Sequence, residues 1–286
     1  MQHRNFNGLR VVAFESRRAD EMRKLIEFHK GEATVVASMR ELPLEDNGPA
    51  HDFVRLLQAG ELGLFIALTG VGVRMLAREL DVFLPRPEWV EALAKVPVVA
   101  RGPKPAAALK ELEIPVALRV DEPNTWREIL QCIDARRGRL PLSGKLIAVQ
   151  EYGMMNRNLL RGLQRRGARV LRVPVYRWAL PEDTAPLRHA VEDITNRRFD
   201  VALFTTGTQV WHLFKIAGKM GLEHELRAAL QGMVIASVGP STSEALTEFE
   251  LQTDLMPEHP KMGHLVKHAA INCHEALTAR RGEVVV

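Results

Sequence analysis

The chain holds only two cysteines, Cys132 and Cys273, in 286 residues. They form no Cys-x-x-Cys pair and no disulfide framework, which excludes a small disulfide-stapled secreted fold. Charge of one sign is scarce: 39 Lys and Arg stand against 35 Asp and Glu, a formal net charge of +4. No apolar run approaches the roughly 18 residues that span a bilayer, so no membrane association is expected. The first residues, MQHRNFNGLRVVAF, lack an apolar segment followed by a small-residue cleavage site, and a cytoplasmic location is expected. No GxxxxGK[ST] loop occurs, and GVGVRM supplies only two glycines of a dinucleotide fingerprint, so no nucleotide cofactor is expected. His264 and His268 share a helical i, i+4 spacing with His259 and His274 nearby, but HExxH is missing and no carboxylate completes a set; no metal is expected. No helix-turn-helix, zinc finger or aromatic-basic platform stands out, so no nucleic-acid partner is expected.

What is present is an ordinary globular composition, 46% hydrophobic and 26% charged, at a length that suggests about two domains. Short runs rich in Val, Ile, Leu and Ala recur: Leu9 to Phe14, Ala33 to Ala37, Leu64 to Leu68, Val96 to Ala100, Val116 to Val120, Leu146 to Val149, Val170 to Val173, Val201 to Phe204 and Val234 to Ser237. Helical patterns separate them, as from about Asp20, where Met22, Leu25 and Ile26 share a face. Strand–helix–strand alternation predicts parallel α/β units, and runs apolar on both faces belong inside a helix-covered sheet.

The sequence also repeats itself. IALTGVGV at 66–73 parallels LFTTGTQV at 203–210, so that Thr69 and Thr206, and Gly70 and Gly207, lie 137 residues apart. VVARGPKPAAAL at 98–109 parallels IASVGPSTSEAL at 235–246 at the same offset. RVVAFESRR at 10–18 resembles LIAVQEYGM at 146–154, and GEATVVASMREL at 31–42 resembles GARVLRVPVYRW at 167–178. The last two are followed by LPLEDNGP and LPEDTAP, which read as connectors. A constant offset over several motifs implies duplication, hence two similar lobes with a cleft between them.

Ligands of open parallel sheets sit at the carboxyl ends of the strands. The loops there run Glu15 to Arg18, Thr69 to Gly72, Arg101 to Lys104, Tyr152 to Met155, Thr205 to Gln209 and Gly239 to Thr242. Glycine lets backbone approach a ligand, threonine adds a hydroxyl, and helix-start N–H groups suit carboxylates or phosphates. Arg17, Arg18, Arg74, Arg101 and Lys104 flank these loops and could recognise a polyanion. Ser241-x-x-Glu244 reads as a capping box opening a helix. The two tyrosines, Tyr152 and Tyr176, fall near strand ends; each is either a packed amphipathic ring or a phenol that donates a proton.

In these residues the chain resembles the uroporphyrinogen-III synthase family. LTGVGVRML at 68–76, VVARGPKPAAAL at 98–109, RGARVLRVPVYRW at 166–178, FTTGTQVW at 204–211 and SVGPSTSEAL at 237–246 carry the resemblance, which covers nearly the whole chain. It implies two similar parallel-sheet α/β domains joined by a two-stranded β connector. The bare repeat would place a cut near residue 143. The resemblance instead implies an inserted domain over 43–177 and a discontinuous one over 1–42 plus 178–286. It implies a cofactor-independent lyase of tetrapyrrole and haem biosynthesis. That enzyme closes hydroxymethylbilane, a linear tetrapyrrole with eight carboxylates, into uroporphyrinogen III, with loss of water and inversion of ring D. Tyr176 matches the family's tyrosine and would be the acid; Thr242 matches the hydroxyl residue after Gly-Pro. Thr69, Gly70, Val71, Arg101, Gly102, Thr206, Gly207, Gly239 and Ser241 would bind substrate. Arg17, Tyr152 and Gly153 stand where the sequence departs from the family's Thr-Arg-Pro and arginine-glycine loops, and are assigned to binding by position. A monomer is expected. The competing reading is a non-catalytic two-lobed cytoplasmic sensor or binding protein for an anionic small molecule, which would need an output element that no spare segment supplies.

Overall fold

A computed structural model describes residues 5–44, 48–151, 153 and 155–283. In chain order the elements are β1 (Arg10–Ala13), α1 (Ala19–Phe28), β2 (Glu32–Val35), β3 (Arg40–Pro43), α2 (Gly48–Gln58), β4 (Leu62–Ala67), α3 (Gly70–Phe83), α4 (Arg86–Ala94), β5 (Val98–Ala100), α5 (Pro103–Glu111), β6 (Leu118–Arg119) and α6 (Trp126–Asp134). There follow β7 (Leu146–Gln150), α7 (Arg157–Gln164), β8 (Arg169–Val173), β9 (Tyr176–Ala179), α8 (Ala185–Thr195), β10 (Val201–Phe204), α9 (Gly207–Met220), α10 (Glu223–Gln231), β11 (Val234–Ser237), α11 (Pro240–Thr247) and α12 (Met262–Glu283). The chain divides into two compact units, Met1–Arg40 with Ala179–Val286 (the split unit) and Glu41–Trp178 (the continuous unit).

Each unit holds one parallel sheet, in the order β11-β10-β1-β2 in the split unit and β6-β5-β4-β7-β8 in the continuous unit. β3 and β9 form the separate two-stranded connector. The α/β class with two parallel sheets and a β connector is therefore the observed architecture. The strands at Val201–Phe204 and Val234–Ser237 coincide with the apolar runs. β6 shrinks from the run Val116 to Val120 to two residues, because it is an edge strand with β5 as its one neighbour. β3, RELP, carries Arg40 and Glu41 and no apolar run, so hydropathy does not reveal it.

Successive strand residues point to opposite faces, so a strand apolar throughout needs helices on both sides. In the split unit Val11, Ala13, Val201 and Leu203 pack with Met22 and Ile26 of α1 and Leu265 and Ala269 of α12. Val12, Phe14, Ala202 and Phe204 face Leu187, Val191, Leu213 and Leu230 instead. In the continuous unit Phe65, Ala67 and Ala148 meet Phe53, Leu80 and Trp89, whereas Leu64, Ile66, Ile147 and Val149 meet Ile129, Ile133, Leu159 and Leu163. Cys273 of α12 lies within this packing, and burial pushes its thiol up to about 11, which keeps it an unreactive apolar group at neutral pH. No helix among the described residues is long and apolar enough to cross a membrane.

The repeat is visible in the pairing. β1 contacts β10 with Val11 opposite Val201, and β7 contacts β4 with Ile147 opposite Leu64. The motifs 137 residues apart thus make β10 the counterpart of β4 and β11 that of β5, and β1 corresponds to β7. Each sheet joins a strand from one copy of the repeat to a strand from the other.

The continuous unit gains polar support where α6 ends. Both carboxylate oxygens of Asp134 accept from Arg166, at 2.9 and 2.6 Å, and Oδ1 also accepts from Arg137 at 3.1 Å. The hydrogen bonds from Arg166, with those of Arg137, outweigh the cost of burial and hold the Asp134 carboxyl down at about 2. The group's pKa is depressed on folding, so its contribution is present above the unfolded value near 4 and is lost as pH falls toward 2. It amounts to roughly 2 kcal/mol at neutral pH. Denaturant unfolding of Asp134→Asn is expected to show that deficit at pH 7 and a much smaller one at pH 2.5; a deficit equal at both pH values would refute it.

Candidate functional site

In the continuous unit three neighbouring strands, β5, β4 and β7, end in the glycine-containing loops. Thr69 caps α3: its backbone is extended (φ −142°, ψ 149°) and Oγ1 accepts from Gly72 N at 3.0 Å. Gly70 is buried, and a Cβ there would lie 2.7 Å from the Lys104 carbonyl oxygen, so glycine lets α3 start against α5. Gly102 caps α5 with no side chain, and Pro103 occupies the first helical position, where its missing N–H costs nothing. Val71 and Arg101 are half-buried. Gly153 has φ +82° and bridges to Arg177. A Cβ there would come within 2.6 Å of Trp178 Nε1 and 2.9 Å of Tyr176 Cε2, so both backbone and space select glycine. Tyr152 lies outside the described residues.

In the split unit β10 and β11 end in glycine-containing loops, while β1 ends in the loop Glu15 to Arg18, which has none. Thr206 caps α9 in extended backbone (φ −159°, ψ 149°) with no side-chain cap bond. Gly207 lies where a Cβ would meet Ala245 of α11 at 2.8 Å. Gly239 caps α11, and Pro240 opens it. The β1–α1 loop is tied down by Ser16, whose Oγ accepts from Ser38 N and Met39 N, both at 3.2 Å. Ser38 Oγ donates to the Phe14 carbonyl, and His212 Nδ1–H donates to the Ser38 carbonyl at 2.8 Å. Burial holds His212 below the ordinary imidazole range, against the opposing pull of its bond to Ser38, so it serves as a neutral donor here. Arg17, on this anchored loop, is exposed.

Two buried glutamines support equivalent points by different routes. In the split unit Gln209 of α9 takes Thr205 N on Oε1 (2.7 Å) and donates Nε2 to Thr205 Oγ1 (2.9 Å). The residue 137 earlier than Thr205 is Leu68, and its N–H is taken at 3.2 Å by Oε1 of Gln150, from the end of β7. Oε1 also accepts from Thr69 N at 3.2 Å, while Nε2 donates to the Glu151 carbonyl. The position corresponding to Gln209 is Gly72, and a Cβ there would fall inside the Gln150 carboxamide. Composition and motif spacing do not single out either glutamine; a polar residue closing an otherwise apolar strand, LIAVQ, is the available signal.

The structure thus gathers Thr69, Gly70, Val71, Arg101, Gly102 and Gly153 at one sheet's carboxyl edge, and Arg17, Thr206, Gly207, Gly239, Ser241 and Thr242 at the other's. It also makes corrections. The capping box Ser241-x-x-Glu244 does not form. Pro240 sets the helix start one residue early, Gly239 becomes the cap, and Ser241 is the exposed second residue of α11. Thr242 is buried to 3% exposure, its N–H on the Gly239 carbonyl at 3.0 Å. The turn is held instead by Ser243, whose Oγ shares a 2.6 Å hydrogen bond with Ser237 Oγ. Of the flanking cations, Arg74 is engaged by Glu111 through two hydrogen bonds (2.8 and 2.7 Å) and Arg18 by Glu21, while Lys104 is exposed. Tyr176 is 2% exposed and opens β9; its ring stands edge-on to Trp178 with centroids 5.4 Å apart.

Two parallel α/β sheets, each with helix-start loops on adjacent strand ends, and a β connector define a duplicated α/β protein. The family model for uroporphyrinogen-III synthase HemD matches residues 20–267, and the chain belongs to that family. It is 28% identical over 264 residues to the uncharacterized protein YjjA of Bacillus subtilis (strain 168), covering 92% of this chain and 95% of that one. A mutant uroporphyrinogen III synthase from the extremely thermophilic bacterium Thermus thermophilus superposes with a TM-score of 0.68 at 27% identity, covering 96% of this chain and all of the other. The wild-type enzyme from that bacterium, in another crystal form, gives a TM-score of 0.55 at 29% identity, over 97% of this chain and all of the other.

Proposed function

We propose that this chain is a uroporphyrinogen-III synthase, a lyase that cyclises hydroxymethylbilane with loss of water and inversion of ring D. The observation that carries the reading is the duplicated set of helix starts at 69–72, 102–103, 206–207 and 239–242, on a chain that matches the family over 20–267. Backbone N–H groups at these starts, with the hydroxyls of Thr69, Thr206 and Ser241, suit the substrate's carboxylates. Arg17 and Arg101 add charge-assisted donors. The protein's task is to hold a flexible chain in one near-attack arrangement while the terminal hydroxyl leaves, the substituted carbon of ring D attacks to form a spirocyclic pyrrolenine, and the ring recloses inverted. Tyr176 is the candidate proton donor to the departing hydroxyl, and Thr242 a candidate hydroxyl for binding a substrate carboxylate.

The test is turnover of hydroxymethylbilane with the I and III isomers separated. The expected result is the III isomer. Formation of the spontaneous I isomer alone would overturn the enzyme reading, and tight binding without turnover would favour a sensor. Because the substrate is intrinsically reactive, Tyr176→Phe is expected to slow formation of the III isomer by only about tenfold, the low end for a general acid. An unchanged rate would remove Tyr176 from the mechanism.

A further inference from the structure

The repeat equates Glu15, two residues beyond Ala13 of β1, with Glu151, two residues beyond Val149 of β7. The two carboxylates have different surroundings. Glu151 is 3% exposed and receives both Nε and a terminal nitrogen of Arg172 at 2.8 Å. Arg172 is the β8 residue opposite Val149, and the residue opposite Ala13 in β2 is Val35. The split unit therefore has no guanidinium at the place of Arg172; the nearby Arg18, hydrogen-bonded to Glu21, also feels the Glu15 charge. Glu15 is half-buried, and among the described residues it forms no salt bridge. One oxygen, Oε2, accepts from Thr205 Oγ1 at 2.7 Å; the other receives only a long 3.4 Å contact from Arg18 N. Thr205 is held in turn by Gln209, which is fully buried. The carboxylate is thus fixed at the carboxyl end of β1, beside the Thr206–Gly207 helix start, with one oxygen little used.

A fixed anion in a loop set that suits carboxylates opposes binding of a polyanionic ground state. It is favourable there only toward positive charge, and groups that favour the transition state over the ground state accelerate reactions. We infer that Glu15 is a catalytic carboxylate that meets the cation formed when the substrate's hydroxyl departs. This inference rests on the synthase reading above. In that step the carbon–oxygen bond breaks with its electron pair on oxygen, which takes up one proton and leaves as water. The tetrapyrrole is left with one positive charge, delocalised over a pyrrole ring. Glu15 forms no covalent bond in this step; a proton is released when ring D rearomatises, which restores the balance.

The experiment uses the full chain and hydroxymethylbilane. Glu15→Gln keeps an acceptor for Thr205 and removes only the charge. The expected result is a kcat for the III isomer at least tenfold lower, a KM unchanged or lower, and an unfolding midpoint within error of wild type. Glu15→Asp should recover part of kcat. Thr205→Val keeps the charge and removes the hydrogen bond, so its loss in kcat should be the smaller. Equal kcat for Glu15→Gln and wild type would overturn the role of Glu15 and leave the synthase reading standing. A Thr205→Val loss as large as that of Glu15→Gln would also overturn it, because Glu15 would then act only by holding the loop. A wild-type chain that yields no III isomer would overturn both.

Discussion

Gly72→Gln is expected to destabilise the continuous unit by roughly 3–5 kcal/mol, the sum of overpacking and of orphaned buried polar groups. Any Cβ at residue 72 enters the space of the Gln150 carboxamide, which accepts from two backbone N–H groups and donates to the Glu151 carbonyl. Gln150 is fully buried, so a displaced carboxamide has no water to turn to. The split unit shows what would relieve the conflict. There the glutamine sits on the helix, at 209, and the strand-end position corresponding to Gln150 is Phe14, which is stacked on Phe204 and carries no polar group. Gly72→Gln combined with Gln150→Ala should therefore regain at least half of the loss, with the new carboxamide accepting from Leu68 N as Gln209 accepts from Thr205 N. Denaturant unfolding of the single and double variants checks this. Strictly additive losses would show that the two positions do not exchange roles.

The parts of the site written in short contiguous segments are legible without the structure. Thr-Gly after an apolar strand and Gly-Pro before a helical pattern are local turn and cap chemistry, and Thr69, Thr206, Gly102 and Gly239 all lie at helix caps. The apolar runs and their 137-residue offset are legible for the same reason. Features set by register between distant strands are not. Whether Gln150 meets Gly72, or Glu151 meets Arg172, depends on which residues of β4, β7 and β8 lie side by side, and the sequence carries no local mark of that. The Ser241 capping box fails for a local reason. Its spacing is correct, but Pro240 is the better first helical residue, and the cap moves to Gly239. The connector strands escape hydropathy because β3 and β9 pair with each other outside the two main sheets.

The second large effect is expected at the pair that the split unit lacks. Arg172 is about half exposed, 46% of its side chain, while the Glu151 side chain is 4% exposed. That asymmetry decides the outcome of removing each partner. Arg172→Leu leaves a buried carboxylate with neither counter-ion nor its two hydrogen bonds, and the expected loss is about 3–5 kcal/mol. Arg172→Lys should fall between, because a single ammonium cannot reproduce two parallel hydrogen bonds. Glu151→Gln removes the charge rather than orphaning it, and should cost about 1–2 kcal/mol. The Arg172→Leu, Glu151→Gln double variant is the decisive measurement. If desolvation of the carboxylate dominates, the double variant is more stable than Arg172→Leu alone, and the cycle gives a coupling of about 2 kcal/mol or more. If the pair contributes only screened surface attraction, Arg172→Leu costs under about 1 kcal/mol and half-molar salt abolishes the difference. The same reasoning explains why Glu15 tolerates the absence of a partner. It is only half-buried, so water as well as Thr205 Oγ1 can solvate its carboxylate, and no guanidinium is needed at the place of Arg172.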